Sequence, residues 1–569
     1  MANDVATMIS ISERVALNQA QLTAPGAPFE LAQDAGVSYY RHAPDILADM
    51  IAGARSHGNK EFMVYRGDRW TFDRFFAAAD ALATQMQRRL GVRAGDTVAI
   101  AMRNRPEWGV AFVAATMLGA VPAPLNSLGL RDELLQALTL VTPKVLLCDA
   151  ERFAHVGQDL AALGCTAVVV AADPAVLNSA VLAFDDMLAA GGAPLASPGV
   201  TAGDPALILF TSGATSHAKA VLSTQRAVCQ ALQNINYIGM LAAMSSPDTV
   251  AKIMQRGHPP TTLTAVPLFH VSGLHAQFLS SLINGRRLVF THRWNVSEAL
   301  EMIRAERITQ FNGAPSMVMQ LMAGVMAGDA DASSSLGGIG FGGAGLPQRL
   351  IDDLLKYRTN VMAGIGFGLT ETNGVGAASS GELFHYKPRS AGLLSPIVEA
   401  MILDETDNPA PAGQTGEICL RGVTLMQGYL HNPQATEDAM QDGWFRTGDV
   451  GYLDQEGFLC VVDRIKDVIN RNGEKISSAE IESCLLSHAH VMEAAVFAAP
   501  DDMTGEKVVA VVVAKPGAML TTEDVQAHVA ARLAAYKVPA QIYVRSEVLP
   551  RNPVGKLLKP VLRTMYTGK

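Results

Sequence analysis

Charged side chains are scarce in this chain, which has 569 residues of which 17% are charged, 49% hydrophobic and 6% aromatic. It also lacks a long uninterrupted apolar run. The most apolar window, residues 110–125, is short for a membrane span and holds Pro122 and Pro124, so it predicts a buried helix followed by a strand. The N-terminus lacks the basic segment followed by an apolar segment that is typical of a signal peptide, since it contains Asp4 and Arg14. We therefore expect a cytoplasmic protein without a membrane span.

An excess of positive charge is absent too. The chain has 45 Lys and Arg against 54 Asp and Glu, a net charge of −9, which argues against a nucleic-acid partner. Its six cysteines show no CxxC pair and no paired spacing. That pattern predicts reduced thiols rather than disulfides. The oligomeric state stays open, and a homodimer is compatible with the sequence.

The length exceeds what a single hydrophobic core supports, so at least two domains are expected. Helical segments alternate with short apolar strands from residue 70 onward, which is typical of βαβ units and parallel sheets. The arm before residue 60 is predicted to be irregular. A helix is predicted at 71–90, with Thr71 as its N-cap, and a second helix is predicted to end at 160–163. Strands are predicted at 96–101, 145–148 and 167–170, and loops at 189–199 and 332–345.

A domain junction is predicted near residues 463–467. After it the pattern predicts a helix at 478–487, a strand at 508–514, a helix at 522–536 and a strand at 542–544. This is a compact α+β unit of about a hundred residues. The predicted division is a large N-terminal α/β domain, 1–462, and a small C-terminal α+β domain, 463–569.

A hydroxyl-rich loop closed by a lysine follows the apolar run 206–210. Backbone N–H groups, hydroxyls and one ammonium in such a loop suit an anion, and the natural one is a polyphosphate. The spacing is not that of the P-loop, and a Ser/Thr-rich segment is more often a solvated turn. The candidate phosphate ligands are Thr211, Ser212, Gly213, Thr215 and Lys219.

Residues 340–345 match the pattern GxGxxG, and a helix is predicted at 348–357. A dinucleotide site would need an acidic residue about 20 positions further on to hold a ribose. None stands there, so the dinucleotide interpretation fails.

Further motifs follow in a fixed order: IGFGLTE at 365–371, GEICLRG at 416–422, WFRTGD at 444–449, DRIKD at 463–467 and PRNPVGK at 550–556. Together with the hydroxyl-rich loop, they closely resemble the adenylate-forming superfamily of acyl-CoA and aryl-CoA ligases, luciferases and peptide-synthetase adenylation domains. The resemblance runs from about residue 60 to the end. It implies ATP, Mg²⁺ and coenzyme A as cofactors, and a small domain that rotates on the large one between two half-reactions.

The resemblance also assigns roles around the nucleotide. Glu371 would contact magnesium and Thr370 would lie near the α-phosphate. The adenine would stack on Phe367, and the adjacent residues Gly366 and Gly368 would also line the nucleotide site. The backbone of Gly343, Ala344 and Gly345 would approach the adenine as well. Without the resemblance, Glu371 would be an ordinary acidic residue at a helix N-terminus.

Four charged residues complete the implied site. Asp449 would accept from both ribose hydroxyls, Arg464 would bind ribose or phosphate oxygens, and Lys466 would be the hinge. Lys556 would bridge the carboxylate and the α-phosphate during adenylation. The competing interpretations are a turn for Asp449, a surface ion pair with Asp463 or Asp467 for Arg464, and a solvated side chain for Lys556.

His270 concerns the acid substrate. A lone histidine beside apolar residues is more often a core residue, but the resembled acyl- and aryl-CoA ligases place a histidine here beside the substrate carboxylate. The aspartate with which peptide-synthetase domains pair a substrate amino group is absent. The pocket for the acid is expected to be lined by small residues, which leave room for an acyl or aryl group: Asn312, Gly313, Gly366 and Gly368. We therefore expect an apolar aryl or medium-to-long-chain carboxylic acid.

The hydroxyl-rich loop departs from the family pattern, because Ala214, Ser216, Ala218 and Ala220 replace Thr, Gly, Pro and Gly. Alanine resists backbone conformations that glycine permits, so an altered grip on pyrophosphate is expected. Two alternatives to a CoA ligase stay open. One is an acyl-AMP ligase that loads a carrier protein, since residues 241–262 are somewhat long; the other is a catalytically weak nucleotide-binding regulatory protein.

Overall fold

The computed structural model describes residues 10–211, 218–326, 334–342, 348–357, 360–472, 474–501, 503–552 and 555–567. Its helices are α1 Ile11–Thr23, α2 Leu47–Ala52, α3 Phe72–Leu90, α4 Pro106–Met117, α5 Arg131–Val141, α6 Ala150–Val156, α7 Phe184–Ala189, α8 Gln225–Ser245, α9 Pro247–Gln255, α10 Val271–Gly273, α11 Ser280–Ile283, α12 Val296–Ala305, α13 Pro315–Met326, α14 Gln348–Tyr357, α15 Glu382–Tyr386, α16 Pro433–Ala439, α17 Ser478–Leu486, α18 Thr522–Ala530 and α19 Lys559–Thr567.

The strands pair into separate sheets. They are β1 Leu31–Asp34, β2 Val37–Tyr40, β3 Glu61–Tyr65, β4 Asp68–Thr71, β5 Thr97–Ala101, β6 Val121–Pro124, β7 Val145–Asp149, β8 Thr166–Val170, β9 Val181–Ala183, β10 Pro205–Phe210, β11 Ala220–Thr224, β12 Thr261–Thr264, β13 Arg287–Phe290, β14 Gln310–Gly313, β15 Gly338–Phe341, β16 Met362–Leu369, β17 Gly374–Ser380, β18 Gly392–Leu394, β19 Val398–Leu403, β20 Gly416–Gly422, β21 Gly428–Tyr429, β22 Met440–Gln441, β23 Trp444–Leu453, β24 Phe458–Arg464, β25 Ile469–Arg471, β26 Glu474–Ile476, β27 Val491–Asp501, β28 Gly505–Ala514 and β29 Gln541–Arg545.

The largest sheet is mixed. Strands β3, β13, β12, β14, β15 and β16 lie side by side and parallel, and antiparallel strands β17, β18, β24, β23, β20 and β19 continue the sheet. A second sheet, β6-β5-β7-β8-β9, is parallel throughout. Helices α3 and α4 fill the space between the sheets with aromatic side chains such as Trp108 and Phe112, which stack at 5.6 Å. The predicted α/β class is confirmed.

A small α+β unit follows the large sheet. Strand β24 ends at Arg464, and a separate sheet of β26, β25, β28, β27 and β29 begins at Ile469. Helix α17 and helix α18 pack on this sheet around a core that includes Val496 and Val512. A short 3₁₀ turn, Ile465–Asp467, connects the two units.

Several predicted elements are present with nearly the predicted bounds. Thr71 caps α3 by accepting from the backbone N–H of Arg74. The apolar window 110–125 is a buried helix, α4, followed by strand β6. In the described part of the chain, no helix combines the length and apolar composition that crossing a bilayer requires.

Other predictions were wrong. Where the arm before residue 60 was expected to be irregular, it contains α1, the β1–β2 hairpin and α2. Helix α6 ends at Val156, not at 160–163, and α18 ends at Ala530, not at 536. The predicted loop 332–345 contains strand β15. At the end of α18, packing on the core of the small domain outweighed the local helical pattern.

Candidate active site

The candidate site lies at the carboxyl edge of the large sheet. Strands β12, β14, β15 and β16 are parallel, so the residues that follow them meet at one edge. Thr370 follows β16, and His270 lies in the segment after β12. Ligands of α/β proteins bind at such carboxyl edges.

The hydroxyl-rich loop leaves from β10 and returns through β11, which is antiparallel to it. The Thr211 N–H donates to the Lys219 carbonyl at 2.9 Å, and the Lys219 N–H donates to the Thr211 hydroxyl at 3.2 Å, so the two ends of the loop are tied together. Ser212, Gly213 and Thr215 lie outside the described residues. Ala220 is the buried first residue of strand β11.

Glu371 is buried beside a tyrosine that the sequence reasoning missed. The Tyr429 hydroxyl donates to the Glu371 carboxylate at 2.8 Å, and the ring of Tyr429 lies 4.4 Å from the Lys219 ammonium. Burial, and then the charge of Glu371, raises the pKa of Tyr429. Tyr429 comes from β21, which pairs with β11, so the loop lysine and the glutamate meet at one side chain.

The residues around Glu371 fit the magnesium ion that the resemblance implies. Mg²⁺ is usually held by one or two carboxylates together with substrate phosphates and waters. Among the described residues, no group of three or more His, Cys, Asp or Glu side chains could hold a metal by itself. A single buried carboxylate near the phosphate loop is the donor set expected for an ion that arrives with a nucleotide.

Strand β16 carries the implied adenine residues. Phe367 pairs with Ala377 of β17 and packs on the core of the neighbouring strands. Gly368 must be a glycine, because an added Cβ would lie 1.7 Å from the Gly374 carbonyl oxygen. At Gly366 the Cβ would be 3.2 Å from Val375. Gly343, Ala344 and Gly345 lie outside the described residues.

Asp449 and Arg464 face each other across β23 and β24. Their side chains form an ion pair of 3.0 Å, with the aspartate 7% exposed. Burial raises the pKa of Asp449, while Arg464 and Lys556 act in the opposite direction. Asp449 lies inside a strand, so the competing turn interpretation is wrong. Arg464 pairs with Asp449 rather than with Asp463 or Asp467, the partners in its competing interpretation. Asp463 accepts from the backbone N–H of Arg464 and from Ser477, Ser478 and the backbone of Ala479 at the start of α17.

Lys556 reaches the Asp449–Arg464 pair from the small domain. Burial, and then the charge of Arg464, lowers the pKa of Lys556 to about 8. Lys466 belongs to the same cluster, and burial lowers its pKa too. Lys556 is therefore partly buried rather than fully solvated, and it lies near charged residues that are far away in the sequence.

The loop that carries Lys556 rests on the large domain. Gly555 has φ +80°, and an added Cβ would lie 3.1 Å from the Ala314 Cβ and 3.3 Å from the Ser316 hydroxyl. The Lys556 N–H donates to Asn552 at 2.8 Å. A second link between the domains is the exposed ion pair of Lys475 and Glu405, at 2.6 Å.

His270 precedes α10 with its side chain in an apolar setting. Its Nε2 atom is buried and has no hydrogen-bond partner in the described part of the chain. Burial lowers the pKa of His270 to about 4, so the ring is neutral at pH 7. A neutral imidazole with a free nitrogen can donate one hydrogen bond to a ligand carboxylate.

Three buried polar residues near His270 were missed by the sequence reasoning. Asn104 donates to the Val266 carbonyl at 2.9 Å and accepts from the Leu268 N–H at 3.0 Å, which fixes the segment that ends at His270. His275 and Gln277 lie on a π-helical turn, Leu274–Leu279, a form frequent at functional sites. No local sequence signal marks these residues.

Comparison with known proteins decides the family. The model of the AMP-binding enzyme family matches residues 52–430, and that of the AMP-binding enzyme C-terminal domain matches 480–556. The chain belongs to the AMP-binding enzyme family. It is an AMP-forming acid–thiol ligase by class, and ligases of this class use ATP, Mg²⁺ and CoA.

Named relatives agree with this membership. The chain is 30% identical over 541 residues to the probable CoA ligase CCL5 of Humulus lupulus, covering 93% of this chain and 94% of that one. It is 29% identical over 539 residues to 4-coumarate–CoA ligase-like 6 of Arabidopsis thaliana, covering 93% and 89%. ATP-bound MatB from Rhodopseudomonas palustris matches the fold with a TM-score of 0.78 at 25% identity, covering 91% of this chain and 99% of MatB.

All six cysteines are free. Burial raises the pKa of Cys419 to about 11 and that of Cys165 to about 12. These thiols are therefore protonated at pH 7, and none is poised as a nucleophile in the reaction of the family.

Proposed function

We propose that this enzyme is an ATP-dependent acid–CoA ligase acting on a monocarboxylic acid with an apolar aryl or medium-to-long alkyl body. In the first step a carboxylate oxygen attacks the α-phosphorus of ATP and pyrophosphate leaves. In the second step the CoA sulfur attacks the acyl carbon and AMP leaves. The observation that carries the proposal is the meeting of Lys556 and Arg464 at the buried carboxylate of Asp449.

Lys556 serves the first step. A carboxylate approaching an α-phosphate must overcome the repulsion of like charges, and a positioned ammonium between them lowers that barrier. The close approach of Gly555 to Ala314 places the Lys556 loop against the large domain, as this step requires. Asp449 would accept from the ribose hydroxyls, and Arg464 would hold that carboxylate in place.

His270 orients the acid. Its neutral ring donates a hydrogen bond to the substrate carboxylate without adding a charge of its own. Asn104 holds the segment before it, so the ring is positioned before the substrate binds. Preorganised donors of this kind are effective because they need not reorganise during the reaction.

The thiol acceptor proposed is CoA rather than a carrier protein. The segment 241–262, long enough to raise the carrier-protein alternative, packs on the large domain. Arg256 donates to the carbonyl of Leu336 at 2.7 Å and to that of Asn360 at 2.8 Å. A segment bound in this way leaves the small domain its freedom to rotate, which supports a second step with CoA.

The test is pyrophosphate release with a panel of acids, measured with and without CoA. A CoA ligase forms pyrophosphate and, only when CoA is added, AMP and a thioester in equal amounts. Pyrophosphate and acyl-AMP without any thioester would instead indicate an acyl-AMP ligase. Nucleotide binding without pyrophosphate for any acid would contradict the proposal.

A further inference from the structure

Arginine side chains gather at a place that the adenylation site does not use. Arg66 follows β3, Arg103 follows β5 and Arg293 follows β13, while Arg152 lies on α6. Each of these strands belongs to the parallel part of its sheet, so the group lies at carboxyl edges of two sheets. On the large sheet, β13 and β3 lie beyond β12, on the side away from the adenine strands.

The carboxylates in this region are already occupied by one of the arginines. The Arg152 side chain is 2% exposed and pairs with Asp149 at 3.1 Å and with Glu151 at 2.5 Å. Asp149 also accepts from the backbone N–H of Arg103 at 3.2 Å. Asp149 and Glu151 also favour the charged form of Arg103, but two carboxylates among four arginines leave the group with a net positive charge.

Arg66, Arg103 and Arg293 form no ion pair with any residue that the structure describes. The Nε atom of Arg103 is buried and donates to none of the described residues. Burial, and then the charges of Arg152 and Arg293, lowers the pKa of Arg103. Burial, and then Arg66 and Arg103, lowers the pKa of His292. A buried cation whose pKa is lowered by neighbouring cations, as that of Arg103 is, is stabilised when an anion binds beside it.

We propose that Arg66, Arg103 and Arg293 form a binding site for the phosphate group of a small molecule. A guanidinium presents a planar fork of donors that matches phosphate oxygens, and it keeps its charge. Small molecules bind at the carboxyl edges of parallel strands. Here two such edges meet, because Asn104, next to Arg103, bonds to the segment after β12. The Tyr65 hydroxyl, next to Arg66, lies 3.2 Å from Nδ1 of His292, next to Arg293. The phosphate has two sources, free inorganic phosphate or the phosphate of a nucleotide. This proposal does not depend on the proposed function, because binding of phosphate at this site does not require catalysis.

The test is the shift in melting temperature as phosphate is added to the full-length protein, with sodium chloride at matched ionic strength as reference. A second arm uses adenosine 3′,5′-bisphosphate. The variants are Arg293→Gln, which changes an exposed side chain, and the double variant Arg103→Gln/Arg293→Gln. The matched control is Arg421→Gln, which removes the same charge from a residue paired with Glu399 at the far end of the large sheet.

We expect a saturable rise for the wild type and for the Arg421→Gln control. The half-saturating phosphate concentration should increase at least threefold in Arg293→Gln and at least tenfold in the double variant. Saturation at a lower concentration with the bisphosphate would identify a nucleotide phosphate as the source, and equal concentrations would identify free phosphate. A response equal to that of chloride, or the same half-saturating concentration in wild type and Arg293→Gln, would overturn the proposal.

Discussion

The hydroxyl of Tyr429 donates a 2.8 Å hydrogen bond to the carboxylate of Glu371. The same ring lies 4.4 Å from the Lys219 ammonium, so one side chain contacts both the proposed magnesium ligand and the cation of the phosphate loop. A change at Tyr429 can therefore be divided into a loss of the hydroxyl and a loss of the ring.

Tyr429→Phe should raise the Mg²⁺ concentration needed for half-maximal adenylation by about 3- to 10-fold. The lost hydrogen bond to a charged group is worth about 1–2 kcal/mol, and without it the carboxylate is less firmly held. Pyrophosphate release across a magnesium titration measures this. Tyr386→Phe is the matched control, since it removes a tyrosine hydroxyl that donates to another glutamate, Glu456, at 2.9 Å. An unchanged magnesium requirement would contradict the role of the hydroxyl.

Lys556→Ala should nearly abolish acyl-AMP formation and leave thioester formation from supplied acyl-AMP largely intact. Loss of a positioned charge in the transition state costs about 3–4 kcal/mol, or two to three decades in rate. The two half-reactions are measured separately, by pyrophosphate release and by thioester formation. Equal losses in both would show that Lys556 is not specific to adenylation.

The pH dependence of adenylation should reflect the pKa of Lys556, which burial lowers to about 8. Because the charged ammonium is the active form, kcat/KM for adenylation should fall as the pH rises through about 8, well below the value of about 10.4 for a solvated lysine. Thioester formation from supplied acyl-AMP should lack this decline. In Lys556→Arg the residual adenylation activity should lose it too, because arginine stays protonated. If kcat/KM still falls above about pH 8 in this variant, the fall reflects the titration of a group other than Lys556.

Asp449→Ala should raise the KM for ATP more than the KM for the acid. Ribose hydroxyls left without an acceptor cost about 1–3 kcal/mol, and the variant also leaves Arg464 without its 3.0 Å partner. Steady-state kinetics with each substrate varied in turn provide the measurement. If the KM for ATP did not change, the assignment to the ribose would be refuted.

Among acids, octanoate and a cinnamate-type acid should give higher kcat/KM values than acetate. Each buried CH₂ that acetate lacks forgoes about 0.8 kcal/mol. Succinate and phenylalanine should rank below acetate, because a second carboxylate or an ammonium would be buried without a partner. The ranking comes from pyrophosphate release with each acid. If succinate or phenylalanine gave the highest kcat/KM, the proposal of an apolar acid pocket would be wrong.

The ordered motifs predicted the fold and most of the charged cluster. Asp449, Arg464 and Lys556 were named from their motifs, and the structure brings them together. Tyr429 could not be predicted in the same way, because its contact with Glu371 depends on the pairing of β21 with β11. Residues that meet through sheet pairing leave no periodic trace in the local sequence.

The N-terminal arm shows a different kind of miss. Ser10 and Glu13 form a capping box at the start of α1, a signal that is legible in the sequence. The early end of α18 has a tertiary cause, because Leu533 and Val538 pack on the core of the small domain and the chain must leave the helix to reach it. Helix propensity in an alanine-rich stretch does not prevent this.

The Lys475–Glu405 ion pair gives the two domains a weak and adjustable attachment. Both side chains are more than half exposed, and exposed pairs contribute only about 0–1 kcal/mol, which salt screens further. This ion pair therefore adds to the other contacts between the domains a small part of the free energy that depends on salt. The fraction of molecules in this domain arrangement should therefore decrease at higher ionic strength, so that the relative speed of the two half-reactions becomes a property of the medium as well as of the chain.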